Sequence, residues 1–253
     1  GEMTQENRLI EGAIGPALLR FALPFLGASF LQALYGATDL FVVGQFSGSE
    51  AVSAVAIGSQ IMQTITGIIL GLATGGTVLI GRRIGERNDD GAARAVGSLA
   101  VLLILLAIVL TPIMALSTNA IVSLMQTPVE AVAPARHYLL ICACGIPFII
   151  GYNAISGIFR GIGDSKTPMY FVLVACLINM GLDFLLAGYF DYGAAGVAVA
   201  TVAAQACSFL AFLFYMNRKG LPFAFSRRDI RLDKPAAAAI LKVGFPLALQ
   251  DAL

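Results

Sequence analysis

Residues 24–44 read PFLGASFLQALYGATDLFVVG. This stretch carries a single charge, the carboxylate of Asp39. A helix that crosses the hydrocarbon core of a bilayer takes about 20 mostly apolar residues. The segment therefore reads as a membrane span with an acid inside it. An ionised Asp at the centre of such a helix costs on the order of 3 kcal/mol, an expense that helix packing alone does not require.

Outward from there the same pattern repeats. The first span extends back to residue 16, and five further apolar stretches follow at 51–82, 95–118, 136–160, 168–190 and 194–217. A seventh begins near residue 235 and is cut off at Leu253. The intervening segments, such as GQFSGSE, GERNDDGAA and GIGDSKTP, are richer in Gly, Pro and charge, as turns are. The expected division is an N-terminal tail over 1–15, helices 1–6 over 16–218, a basic linker over 219–234 and the start of helix 7 over 235–253. The fold class is an all-α integral membrane bundle. Composition agrees: 58% of the 253 residues are hydrophobic and 12% are charged, about half the roughly 25% charge of a water-exposed domain.

Fourteen of the sixteen Lys and Arg residues fall on one side of this arrangement, from Arg8 and Arg20 through Arg82, Arg83, Arg87 and Arg94 to the 218–234 group. Arg136 sits on the other side, and Lys242 lies in the truncated span. The asymmetry predicts a cytoplasmic N-terminus and cytoplasmic 2–3, 4–5 and 6–7 loops in a multi-pass protein of the cell (plasma or inner) membrane. The opening GEMTQENR lacks a signal-peptide layout, and Gly1-Glu2 ahead of Met3 reads as an added remnant.

Several residue types carry little functional signal. Cys142, Cys144, Cys176 and Cys207 lie in apolar stretches with no zinc spacing and read as small buried hydrophobes. Gly67, Gly71 and Gly75 recur at helical spacing and predict close approach of a neighbouring helix. Pro24, Pro112 and Pro147 each remove a backbone donor and can bend a helix. His137 is expected at the interface, without a role. A single histidine, with neither Gly-x-Ser-x-Gly nor His-Glu-x-x-His, argues against an enzyme. No cofactor and no nucleic-acid partner is expected.

The polar residues at membrane depth are different. Gln32, Tyr35 and Asp39 share one face of the first span. Asn179 and Asp183 are four apart in the fifth, and Thr201 and Gln205 four apart in the sixth. Gln205 reads equally well as a packing hydrogen bond, and Thr201 taken alone reads better as one, since Thr bonds back readily to its own helix. Asp251 lies inside the truncated span. An acid kept from water can be made neutral by a proton, or by Na⁺ held on oxygen ligands. Either event permits different packing around it, which is a physical basis for an ion-operated switch. Tyr138 reads by position as an interface aromatic.

These residues resemble the N-terminal half of a multidrug and toxic compound extrusion (MATE) transporter. The likeness rests on P24…Q32..Y35…D39….G44, on RGIGDSKTPM at 160–169, on N179…D183 and on GAAGVAVATVAAQ at 193–205. It implies twelve helices in two six-helix lobes related by an axis along the membrane normal, the missing C-lobe being a partner of this one. It also implies export of small-molecule drugs or organic cations in exchange for H⁺ or Na⁺. In that reading Asp39 is the main coupling site, and Asp183, Asn179 and Thr201 complete its network. Gln32, Tyr35, Tyr138, Ser156 and Gln205 line the substrate cavity, and Pro24 is a hinge. Two departures leave the coupling ion open: Ser156 stands where some relatives carry Asn, and Gln250-Asp251 stand where sodium-binding relatives carry a Glu. A lipid-linked precursor flippase of the same layout and a transport-inactive single-lobe fragment are the alternatives.

Overall fold

The computed structural model describes residues 2–253, with side chains described for 15–250 and for 252–253. Arg8 and the carboxylate of Asp251 thus lie outside the described side chains, and Gly1 lies outside the described residues. Seven long helices follow one another: α1 (Glu2–Phe46), α2 (Ser49–Gly85), α3 (Asp89–Leu124), α4 (Val132–Gly161), α5 (Lys166–Asp183), α6 (Gly193–Lys219) and α7 (Lys234–Ala252). The first six are long and apolar enough to cross a membrane.

The helix ends follow from local chemistry. Asn88 accepts from Gly91 N at 2.9 Å and starts α3. Asp164 accepts from Lys166 N, Thr167 N and the Thr167 hydroxyl, and so starts α5. Asp233 accepts from Ala236 N and starts α7. Each cap satisfies amides that the first helical turn leaves without partners. Gly220, at φ 73°, ends α6 in a conformation that few other residues adopt. α2 and α3 run several residues past the apolar stretches that mark them in the sequence, into the polar segment that joins them.

One helix departs from a simple span. The fifth apolar stretch is not α-helical throughout: from Phe184 to Tyr189 it widens into a π-helical turn directly after Asp183. That turn carries Ala187 into the core and presents the Leu186 carbonyl to α6. Gly196 sits there with so little space that a Cβ would lie 3.1 Å from Leu186 O.

The interior is organised around α4, which packs against α2, α3 and α6, while α1 rests mainly on α5. Large apolar side chains point outward over most of the surface, among them Leu23, Ile108, Leu116 and Phe214. In lipid this exposure carries no hydrophobic penalty, and the backbone polar groups are satisfied within each helix. A second apolar cluster is aromatic: Phe171 stacks on Phe212 at 4.4 Å, with Phe159 and Tyr152 beside them.

The expected close approach at the α2 glycines has a specific partner, α7. A Cβ at Gly71 would stand 2.6 Å from Ala248 N, and one at Gly75 would collide with the Ile240 carbonyl. Gly67 has another place, in the wall of a cavity. The cysteines divide in a way their apolar context does not foretell. All four are free; Cys142 and Cys176 are buried, whereas Cys144 and Cys207 are exposed on the helix surfaces.

Candidate functional site

Asp39 is 4% exposed although it lies on the first helix of the bundle, and Asp183 and Asn179 are fully buried. Three helices bring them together. From α5, Asn179 donates through Nδ2 to Asp39 Oδ1 at 2.8 Å and to Asp183 Oδ2 at 3.3 Å. From α6, the Thr201 hydroxyl lies 3.3 Å from Asp39 Oδ2 and 3.2 Å from Asn179 Oδ1. Asn179 Nδ2 thus bridges the two carboxyls.

The donors in this cluster do not cover the acceptors. The amide of Asn179 supplies two hydrogens and the hydroxyl of Thr201 one. The Thr201 hydrogen cannot serve Asp39 and Asn179 at once. Asp183 Oδ1 is buried and has no partner. A buried carboxylate oxygen without a donor is costly, and two ionised carboxylates side by side away from water are costlier still. The cluster is short of at least one hydrogen-bond donor.

Asp39 also faces a cavity of about 390 Å³ between α1, α2, α4 and α6. Its wall includes Gln32, Tyr35, Tyr138, Thr201 and Gln205, all of them anticipated from the sequence. Within it Gln205 Nε2 donates to the Tyr35 hydroxyl at 2.5 Å. Tyr138 is 2% exposed and packs flat against Gly58, where a Cβ would overlap its ring. The positional reading of Tyr138 as an interface aromatic is thereby corrected: α4 turns it inward. Among the described residues no Lys, Arg or His lines this cavity, and the acid that does is Asp39.

Two anticipated residues lie elsewhere. Ser156 does not line the cavity; it is fully buried between helices and its hydroxyl has no partner. The reason is depth along the axis, not phase: Ser156 shares the α4 face of Tyr138, Ile149 and Tyr152, but the cavity's α4 lining ends at Asn153, about 4.5 Å earlier along the helix. Pro24 lies fifteen residues from Asp39, about 22 Å along the axis. It is buried within a continuous α1. Its missing N–H and its ring disturb the carbonyls one turn back. Of these, the Phe21 carbonyl accepts from the Ser165 hydroxyl at 2.7 Å.

Other cavity residues were not anticipated: Ser59, Gln63 and Thr66 of α2, Asn153 of α4, and Cys142. The α2 set had a signal, since 59, 63 and 66 share one helical face. Asn153 had none, because a single amide among apolar residues fits packing equally well; it also donates to its own helix at Ile149 O, 2.8 Å away.

The MatE family model matches residues 24–185, the segment from the proline of α1 to just beyond Asp183. The chain is 30% identical over 259 aligned residues to the probable multidrug resistance protein YoeA of Bacillus subtilis, covering 98% of this chain and 56% of that protein. It is 32% identical over 241 residues to the probable multidrug resistance protein YpnP of the same organism, covering 95% of this chain and 54% of the relative. Among solved structures, it superposes with a TM-score of 0.87 on an outward-facing conformation of a multidrug resistance MATE family transporter of the MOP superfamily. The sequence identity there is 26%, over 93% of this chain and 52% of the other. The chain spans about half the length of the curated relatives it matches.

Proposed function

This chain belongs to the MATE family, and on that premise we propose that it is the first lobe of a multidrug exporter, not an enzyme, with its ion-coupling site at Asp39. The lobe exports cationic or amphipathic organic compounds when joined to a second six-helix lobe. Its basic end faces the cytoplasm, in keeping with the distribution of Lys and Arg.

The observation that carries the coupling reading is the shortage of a hydrogen-bond donor among Asp39, Asp183, Asn179 and Thr201. A proton supplied to this cluster forms the missing hydrogen bond, between the two carboxyls or at Asp183 Oδ1, and cancels one buried charge. Asp39 is the acid of the cluster that also faces the cavity, with Thr201 beside it. Before the proton arrives, its negative charge attracts a cationic drug among the amide and phenol groups of Gln32, Tyr35, Gln63 and Gln205. After it arrives, that attraction is gone and the drug leaves. Ion and drug thus compete through one carboxylate, and the exchange is driven by their different affinities for the two states.

Na⁺ is the second reading. The same cluster offers oxygens from both acids, the Asn179 carbonyl and the Thr201 hydroxyl, which are the hard ligands such a cation takes. A flippase for lipid-linked diphosphates is disfavoured, because among the described residues no basic group lines the cavity to hold the phosphates. The test is efflux of a fluorescent organic cation by the full-length protein, across a range of pH with and without Na⁺, for the parent and for Asp39→Asn. The variant is expected to lose ion-driven efflux. Parental rates with parental pH dependence would remove Asp39 from the mechanism.

A further inference from the structure

The segment between α6 and α7 is a fastened strap with an unspent surface. Phe223 is buried in the core, with Leu221 and Phe225 packed beside it. Ser226 and Asp229 cap each other around a single turn, Arg227–Asp229. The Asp229 carbonyl then seats directly on Gly97 of α3, where no Cβ could fit. Four residues on, Asp233 N donates to Ser98 Oγ at 3.0 Å. Both acids of the strap are therefore occupied with backbone amides, Asp229 at Ser226 N and Asp233 at Ala236 N.

The cations of the strap are not so occupied. Arg227, Arg228, Arg231 and Lys234 are exposed, and among the described residues none has an Asp or Glu within salt-bridge distance. Arg94, one turn before Gly97 on α3, is exposed beside them. Asp89 and Asp90, in the first turn of α3, are the nearest exposed acids along that helix. Between the arginines, Ile230 and Leu232 stand 43% and 46% exposed, an arrangement that water alone does not favour. The Lys219–Asp164 contact at 3.9 Å and the Ser165–Phe21 bond place this strap at the same end of the bundle as the 4–5 loop and the first part of α1, where the spans leave the bilayer.

We propose that this strap is a binding surface for anionic phospholipid headgroups: the guanidinium groups of Arg227, Arg228 and Arg231 hold phosphate, and Ile230 and Leu232 enter the boundary between headgroups and acyl chains. Guanidinium matches phosphate geometry in bidentate fashion. Basic side chains at a bilayer surface are attracted to its anionic lipids over about a Debye length. The strap is pinned to α3 before any lipid arrives, so little ordering is needed on binding. The inference rests on the six spans and not on the transport reading.

These 253 residues contain no tryptophan, so Leu232→Trp, made in the full-length protein with any tryptophan of the second lobe changed to phenylalanine, is a background-free reporter. It is reconstituted in vesicles of phosphatidylcholine and phosphatidylglycerol in which one or the other is brominated, and quenching yields the relative affinity for the two headgroups. Phosphatidylglycerol is expected to be preferred several-fold at low salt, with the preference falling as salt rises. Each Arg→Gln at 227, 228 or 231 should lower it by up to about fivefold. A reporter at the far end of the bundle, Leu116→Trp, is expected to show no preference. Equal quenching by both lipids at low salt, or a preference that survives the triple Gln variant, would overturn the assignment. Should the triple variant fail to fold, the salt series on Leu232→Trp alone still decides: a salt-independent ratio sinks the proposal. No readout involves drug efflux, so this result and that of Asp39→Asn stand apart.

Discussion

Asn179 of α5 holds Asp39 of α1 by a 2.8 Å hydrogen bond across 140 residues of sequence, and the same amide nitrogen reaches Asp183 one turn along its own helix. A single side chain thereby joins the cavity acid to a second acid that no cavity exposes. Asn179→Leu should remove the donor while keeping the volume, leaving two carboxyls with Thr201 alone. Hydrogen bonds to charged groups contribute about 1.5–3 kcal/mol each. The expected outcome is a loss of that order in the thermal stability of the purified protein, together with loss of ion-coupled efflux in the full-length form. Melting curves in detergent and vesicle efflux check the two parts separately.

Tyr35 and Gln205 form the second polar pair of the cavity. Gln205→Leu leaves the Tyr35 hydroxyl without its donor beside an apolar group, at a cost of about 1–3 kcal/mol. Tyr35→Phe together with Gln205→Leu should cost less than the single Gln205 change, since no polar group is then stranded. Equilibrium unfolding of the two variants and the parent makes the comparison. A double variant no better than the single one would show that the pair is not coupled.

Gly58 gives the ring of Tyr138 its seat. Gly58→Ala should push that ring into the cavity, destabilise the protein by about 1–3 kcal/mol and reduce the space left for a drug. Adding Tyr138→Leu should recover stability in the Gly58→Ala background. Thermal melts and binding of a fluorescent cation provide the readout; failure of the second change to recover stability would mean that the clash is relieved some other way.

Gly75 permits α7 to lie against α2, backbone to backbone. Gly75→Val should separate the two helices. Amide hydrogen exchange along α7 should be faster in Gly75→Val than in the parent, because the seam no longer closes on it. Equal exchange in both would argue that α7 holds its place without the glycine.

Ser165 supports α1 one turn from Pro24 through the Phe21 carbonyl. Ser165→Ala should cost about 1 kcal/mol and increase the mobility of a spin label on the nearby part of α1, whereas Ser165→Thr, which keeps the hydroxyl, should restore the parental spectrum. Identical spectra for all three would remove Ser165 from any control of that helix.

Much of this molecule is legible before folding. Lipid demands that every backbone amide be satisfied within its own segment, so each apolar run of sufficient length is already a helix, and the turns announce themselves by Gly, Pro and charge. The expense of an acid at membrane depth singles out Asp39 and Asp183 for the same reason. Their helical spacing with Gln32, Tyr35 and Asn179 follows from the 3.6-residue period alone.

Tertiary structure decided the rest, because rotation of one helix about its axis and the choice of its neighbour depend on packing between segments, which no local period contains. It turned Tyr138 toward the cavity and closed that cavity before Ser156, although both lie on one face of α4. It set α7 against Gly71 and Gly75. It joined Asp39 to Asn179 across two helices, and it left one oxygen of Asp183 without a partner: an imbalance that exists only once the donors and acceptors of three helices are counted together.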